Sequence, residues 1–200
     1  MNTPIKNEIK SEKFTELKGT YNIDKTKIFN NKVKIAAGTV FNLDKNASLI
    51  FKNRIIAEGT KELPIIFQKK NNDNWGTVAL IGKKTKDSYF ENVIFDGGSG
   101  FVKEYLDQKD NDYYSIGNLR LISALAIHNS DNIYLRNILI KNNKKYDDAL
   151  HVVYSNNIMI DDLKINDAFS DAIDIDMSEN IFLDNIEIRN SKNDAIDLME

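Results

Sequence analysis

The sequence predicts an all-β solenoid in which coils of 23–25 residues, each with three short strands, stack on one another. First, a phrase recurs at residues 147–151, 170–174 and 193–197 as DDALH, SDAID and NDAID, always 23 residues apart. Second, apolar residues within each unit stand two positions apart, which is the period of a β-strand. Third, a coil of three strands cannot bury its own apolar face, so a repeat of this length folds only by stacking.

The repeats align into apolar columns over 149–167 and 172–190, and over 124–142 with a 25-residue step. Alternate positions of a strand point to opposite faces, so the apolar columns should point into the core. We therefore expect Leu150, Ile173 and Ile196 to be fully buried in one inward stack. Helical repeats are excluded because no segment holds a period of 3.6 residues.

Polar residues also recur at fixed places. Asn132, Asn157 and Asn180 align with one another, and Asn137 aligns with an Asp and an Asn in the next two units. Asn and Asp tolerate left-handed turns, and stacked side-chain amides can hydrogen-bond along a ladder. These columns predict tight turns between strands. The Asp of each repeated phrase (Asp148, Asp171, Asp194) marks the corner at which a coil enters its first sheet.

Composition limits the classes of function. The chain of 200 residues has 42% apolar residues, enough for one core, and no cysteine for disulfide or thiolate chemistry. No apolar run reaches the roughly 20 residues of a membrane span, so we expect no membrane insertion. From Asp147 onward there are 14 acidic and 3 basic residues. Because nucleic-acid binders present a basic stripe, this acidic repeat argues against nucleic acid as a partner.

The predicted organisation has two parts. Residues 1–13 form a flexible or capping segment, and residues 14–200 form the β-solenoid, with a loop insertion at 97–120. The last unit, NDAIDLME, stops inside a repeat. We therefore expect the domain to be truncated at its C-terminal end, with further coils in a parent protein or end-to-end self-association through unpaired backbone groups.

One slot of the repeated phrase changes from His151 to Asp174 to Asp197. Inward neighbours force this slot outward, together with Asp176 two positions on, so we expect the four residues to share one solvent-facing patch. Stacked carboxylates repel each other, and such a stack either faces open water or holds a cation or proton. The candidate metal ligands are Asp174, Asp176 and Asp197, for which Ca²⁺ is the expected ion.

The candidate catalytic residues are His151, Asp174 and Asp176, since histidine titrates near neutral pH and can move protons. The candidate substrate-binding residues are His128, which is diagonal to His151, and Asp148 at the corner, joined by three residues of the insertion. Aromatic rings of the insertion can stack on sugars and its lysine can meet an anion; these residues are Tyr113, Tyr114 and Lys103. A long loop inside a compact domain is typical of a functional element.

The stretches AAGTVFNLDKNASLIFKNRIIAEGT, PIIF and WGTVAL, together with the D-A-L/I-H/D repeat, resemble the right-handed parallel β-helix of the pectin-lyase-like superfamily. The resemblance covers roughly residues 14–200. It implies a right-handed parallel β-helix whose ligand chemistry occupies the first sheet, in a groove walled by loops. It also implies polysaccharide as the partner and an extracellular or cell-surface location.

Three kinds of reaction are known in this superfamily, and the sequence contains the residues for them to different extents. Hydrolysis of the polygalacturonase kind is matched only by DDALH, because an Asn-Thr-Asp phrase, a Gly-His-Gly and an Arg-Ile-Lys are absent. Elimination of the pectate-lyase kind requires Ca²⁺ and an Arg or Lys base, and no basic residue of the aligned coils falls on the predicted face. Epimerase- or lyase-like chemistry remains open, with His151 as base and a loop Tyr as acid.

The leading interpretation is a surface or secreted β-helix domain that engages polysaccharide along the outward face of its first sheet, with or without turnover. A polysaccharide lyase or epimerase that uses His151 and the Asp ladder is the first alternative. A structural spacer or adhesin segment of a larger surface protein is the second.

Overall fold

The protein was analysed as a computed structural model, which describes residues 13–100, 115–116, 119–121 and 123–199. Within these ranges the chain is almost entirely β-structure, with one 3-10 helix at Lys83–Thr85 and no α-helix. No helix in this part of the chain is long and apolar enough to cross a membrane. The strands are β1 (Thr15–Leu17), β2 (Thr20–Ile23), β3 (Lys27–Phe29), β4 (Val33–Ile35), β5 (Val40–Leu43), β6 (Leu49–Phe51), β7 (Ile55–Glu58), β8 (Ile65–Lys69), β9 (Val78–Ile81), β10 (Tyr89–Asp96), β11 (Ser115–Ile116), β12 (Leu119–Arg120), β13 (Leu125–His128), β14 (Asp131–Lys141), β15 (Leu150–Val153), β16 (Asn156–Ala168), β17 (Ile173–Asp176), β18 (Glu179–Ser191) and β19 (Ile196–Met199).

The strands build two long parallel sheets, as expected for a parallel β-helix. The seven-stranded sheet has the order β19-β17-β15-β13-β9-β6-β3 and receives one strand from each coil. The ten-stranded sheet receives the other two strands of each coil. From β10 onward these two strands are continuous and bend in the middle, so each later coil contains one long strand and one short strand. The predicted all-β solenoid is confirmed, and β11 and β12 form a separate antiparallel pair.

The bends and turns occur at the predicted polar columns. Asn132, Asn137 and Asn157 have φ of 55°, 51° and 58°, in the left-handed region. The Asn157 side-chain amide donates to Asn132 Oδ1 at 2.8 Å, and Asn190 donates to Asp167 Oδ1 at 3.1 Å on a third column. Because Asn and Asp accept this geometry at low cost, their columns fix the places where each coil changes direction.

The core is formed by inward columns that run the length of the solenoid. In one of them the rings of Phe41, Phe67 and Phe95 stack on successive coils, with ring centroids 4.8 and 5.1 Å apart. These separations match the spacing of about 4.8 Å between hydrogen-bonded strands, so the side chains stack in direct register. Register and burial together confirm that the solenoid has one continuous core.

The inward stack Leu150–Ile173–Ile196 has the predicted register, but its burial is uneven. Leu150 and Ile173 are buried, whereas Ile196 is 40% exposed. The prediction of full burial was wrong for Ile196, because β19 has a neighbouring strand on one side only within the described chain. A residue of a stack is shielded from both sides only when coils lie above and below it.

Candidate functional site

The outer face is the surface of the seven-stranded sheet that points away from the core, and it carries two columns of side chains. The first column changes character along the solenoid, from apolar in the early coils to titratable in the late ones. Its members in order are Ile28, Ile50, Ala79, Ala126, His151, Asp174 and Asp197. The second column consists of Ile81, His128, Val153, Asp176 and Met199. The register therefore confirms that the varied slot lies on one outward column.

The prediction that His151, Asp174, Asp176 and Asp197 share a solvent-facing patch was wrong for three of these four residues. His151 is 3% exposed, and Asp174 and Asp176 are 9% and 8% exposed, whereas Asp197 is half-buried. Strand spacing gives the physical reason: a side chain that is short or flat loses most of its surface to in-register neighbours about 4.8 Å above and below. Asp197, on the last described strand, has such a neighbour on one side only.

His151 lies at the centre of a group that we call the His–Asp cluster (Asp148, His128, His151, Asp174 and Asp176). Its Nε2 atom is 3.2 Å from Asp176 Oδ2 and 3.5 Å from Asp174 Oδ2. The ring of His128 meets the ring of His151 edge-on, with centroids 5.0 Å apart. The structure thus brings together all the candidate catalytic residues, as well as the substrate-binding candidate His128.

Several polar atoms of the cluster are buried without a hydrogen-bond partner among the described residues. They are both ring nitrogens of His128, His151 Nδ1, Asp174 Oδ1 and Asp176 Oδ1. A buried polar atom without a partner costs about 1–3 kcal/mol, so native proteins leave few of them. Their concentration at one place indicates a site whose hydrogen-bonding or coordinating capacity is directed to something other than the fold.

Burial also shifts the pKa values of three residues in the cluster. It raises the pKa of Asp148 to about 9, and the neighbouring Asp147 and Asp174 carboxylates add to this rise. Burial raises the pKa of Asp174 to about 6, although nearby His151 acts in the opposite direction. The pKa of the His128 imidazole is lowered to about 3 by burial and by His151. The carboxyls of Asp148 and Asp174 therefore keep their protons to a higher pH than an ordinary aspartate does.

Asp148 has a second, structural role at the corner of the coil. Its Oδ1 accepts the backbone N–H of Asp171 at 3.2 Å, and Asp171 Oδ1 accepts the N–H of Asp194 at 2.7 Å. The side-chain amide of Asn143 donates to the backbone oxygen of Asp148. The predicted position of these Asp residues at the corner of each coil is thus confirmed. Hydrogen bonds from the backbone of the next coil explain why Asp recurs there.

Among the described residues, one group of three potential ligands has all its ligand atoms within 4.8 Å of one another, and it consists of Asp148, His151 and Asp174. It shares only Asp174 with the predicted metal set, which also included Asp176 and Asp197. Sequence alignment assigned Asp148 to the corner and did not place it next to His151. Asp148 lies just before β15, and His151 lies within it. Aligned columns do not show how close the two side chains come to each other.

The insertion is described at its two ends only. Gly98 pairs with Trp75 at its start, and Leu121 at its far end packs on Ile50, Ala79 and Ala126 of the outer face. Leu121 therefore covers part of the apolar section of the outer face. The substrate-binding candidates Lys103, Tyr113 and Tyr114 lie outside the described residues, as does most of the predicted terminal segment 1–13.

No protein-family model matches the chain, and no curated protein is similar to it in sequence. A search of solved structures found a crystal structure of a "putative glycosyl hydrolase" from Parabacteroides merdae ATCC 43184. The two chains share 13% sequence identity and superpose with a TM-score of 0.40 over 85% of this chain and 81% of that chain.

Proposed function

We propose that the protein binds polysaccharide along the outer face of its late coils, where the His–Asp cluster continues to the half-buried Asp197. The observation that carries this proposal is the group of carboxyls on Asp174, Asp176 and Asp197, which keep part of their surface exposed on the outer face next to the buried His151. Sugar hydroxyls donate hydrogen bonds, so they can satisfy the carboxylate oxygens that reach the surface.

The negative charge of the late coils limits the kinds of polysaccharide that can bind there. The acidic late coils favour a neutral sugar chain, or an acidic one whose carboxylates are bridged by a cation such as Ca²⁺. Parallel strands also present an extended surface on which successive sugars can lie across successive coils. A polysaccharide ligand fits the predicted extracellular or cell-surface location, which remains a prediction.

The test is a binding assay with a panel of neutral and uronate-containing polysaccharides, each with Ca²⁺ and with a chelator. We expect binding to at least one of them, weakened tenfold or more by Asp174→Ala and unchanged by Asp184→Asn, a control on an exposed Asp of the other sheet. A folded protein that binds none of the panel would refute the proposal and favour the structural-spacer alternative.

Turnover by a lyase or epimerase mechanism is the second candidate, and a specific observation favours it. Burial raises the pKa of Asp148 to about 9 and that of Asp174 to about 6, so Asp148 holds its proton more strongly and can act as the acid. His151 lies beside Asp174 and can take a proton from a carbon next to a uronate carboxyl. Unsaturated products, or exchange of that proton in deuterated water, would demonstrate turnover; bound polysaccharide that stays unchanged would exclude it.

A further inference from the structure

The His–Asp cluster has the composition and spacing of a transition-metal site. The ligand atoms of Asp148, His151 and Asp174 lie within 4.8 Å of one another, and all three residues are buried. His151 Nε2 and Asp174 Oδ2 are 3.5 Å apart. Metal bonds of about 2.0–2.1 Å in a tetrahedral arrangement place ligand atoms about 3.4 Å apart, so this pair already has the required separation.

A second, independent observation points to a ligand at the same place. The His151 side chain is 4% exposed, and its Nδ1 atom has no hydrogen-bond partner among the described residues. Asp174 Oδ1 is also buried without a partner there. A buried carboxylate without hydrogen bonds is costly unless a cation neutralises it. Asp197 stacks on Asp174 in direct register and adds negative charge, which increases the demand for a cation.

From this geometry we propose that Asp148, His151 and Asp174 bind one divalent transition-metal ion of the Zn²⁺ class, with a fourth position open to a small ligand. Two carboxylates and one imidazole suit Zn²⁺ or Mn²⁺, whereas Ca²⁺ takes six to eight oxygen ligands. The site therefore differs in residues and in ion from the all-carboxylate Ca²⁺ set predicted from the sequence.

The competing explanation is a proton in place of the metal. An imidazolium at His151 would pair with Asp174 and Asp176, whose Oδ2 atoms are 3.5 and 3.2 Å from its Nε2 atom. In that arrangement Asp174 Oδ1 still has no partner, and Asp148 contributes nothing to the pair. A bound metal ion uses Asp148 as a ligand, and it displaces the proton of that carboxyl as well as the proton on Nε2 of His151.

The test is Zn²⁺ binding to the metal-stripped full chain, measured by titration calorimetry without any sugar, so that it stands apart from polysaccharide binding. We expect one equivalent of Zn²⁺ to bind and to raise the melting temperature. His151→Gln and Asp174→Asn should each weaken binding at least tenfold, whereas Asp184→Asn should leave it unchanged. Ca²⁺ should bind more weakly than Zn²⁺.

A readout on the wild-type protein keeps the test decisive if a variant does not fold. The chain has two histidines, so ¹⁵N NMR of labelled histidine resolves His151 from His128. Zn²⁺ should shift the Nε2 signal of His151 and leave that of His128 in place. Absence of Zn²⁺ binding up to millimolar concentration, or binding that leaves both histidine signals unchanged, would overturn the proposal.

Discussion

The outer face of the seven-stranded sheet is built in two ways along a single column of side chains. In the early coils the column consists of Ile50, Ala79 and Ala126, which pack against Leu121 at the end of the insertion. In the late coils the same column continues as His151 and Asp174. Both parts are buried, and both lie on strands with the same parallel pairing.

The difference shows that the fold does not require polar residues in this column. Apolar side chains complete the early coils at no electrostatic cost, whereas the late coils bury carboxylates and imidazoles without partners for several of their atoms. Natural sequences depart from locally favourable choices mainly at functional sites, where the stability cost is offset by activity. We therefore interpret the early coils as structural and the late coils as the ligand-binding part of the same sheet.

The largest effect is expected from moving a carboxylate into the early coils. Ile50→Asp would place an unpaired carboxylate where Ile50 is fully buried against Leu121. The lost apolar burial and the unpaired charge should together cost about 4–5 kcal/mol or more of unfolding free energy. Urea unfolding measures this, with Ile50→Val as the control; a loss below about 2 kcal/mol would remove the distinction between the two halves.

An inward substitution in the late coils comes next in size. Ile173→Ala should cost about 2–5 kcal/mol, because Ile173 is fully buried between Leu150 and Ile196 and its truncation leaves a cavity. Chemical denaturation should show this loss without any change in the ligand affinity of the folded fraction. A smaller loss would mean that the late coils pack more loosely than the early ones.

His128→Leu should change stability in the opposite direction. His128 is fully buried between Ile81 and Val153 in its column, and neither ring nitrogen has a partner among the residues described. An apolar side chain avoids that penalty, so we expect a gain of about 1–2 kcal/mol. Thermal and urea unfolding in a chelator measure the gain. A loss of stability would show that His128 makes a hydrogen bond that supports the fold.

The same substitution isolates a small pH effect. The pKa of His128 is lowered to about 3 in the folded chain, while an unfolded histidine titrates near 6.5. Below pH 6.5 only the unfolded chain takes up this proton, so stability falls as pH falls. Unfolding free energies at pH 6.5 and 5.5 should differ by about 1 kcal/mol more in the wild type than in His128→Leu. An identical pH dependence in both would show that His128 takes up its proton as readily in the folded chain as in the unfolded one.

The sequence predicted the architecture well because the repeat imposes it. Coil length, inward columns and left-handed turns follow from local period and residue type, which a linear alignment preserves. The columns of Ile173 and Asn157 were therefore correctly placed. The column of Ile196 was also correct, but its burial was not, because the exposure of a residue depends on the coils on both sides of it and an aligned column does not contain that information.

The candidate site was predicted only in part, and the failures have a common cause. Alternation places His151, Asp174 and Asp176 outward, but an outward side chain is not exposed when in-register neighbours cover it from above and below. The approach of Asp148 to His151 depends on the three-dimensional course of a turn. Sequence periodicity records which face a residue occupies, and it does not record what lies across that face.

The most direct test of the account compares wild type and Asp174→Asn for both unfolding free energy and ligand binding, on the same metal-stripped preparations. Asn keeps the shape of the side chain and removes the buried charge. The account predicts that the variant is at least as stable as the wild type and that its affinity for polysaccharide falls tenfold or more. A variant that loses more than about 1 kcal/mol of stability and binds as well as the wild type would contradict the account, because the carboxylate would then serve the fold.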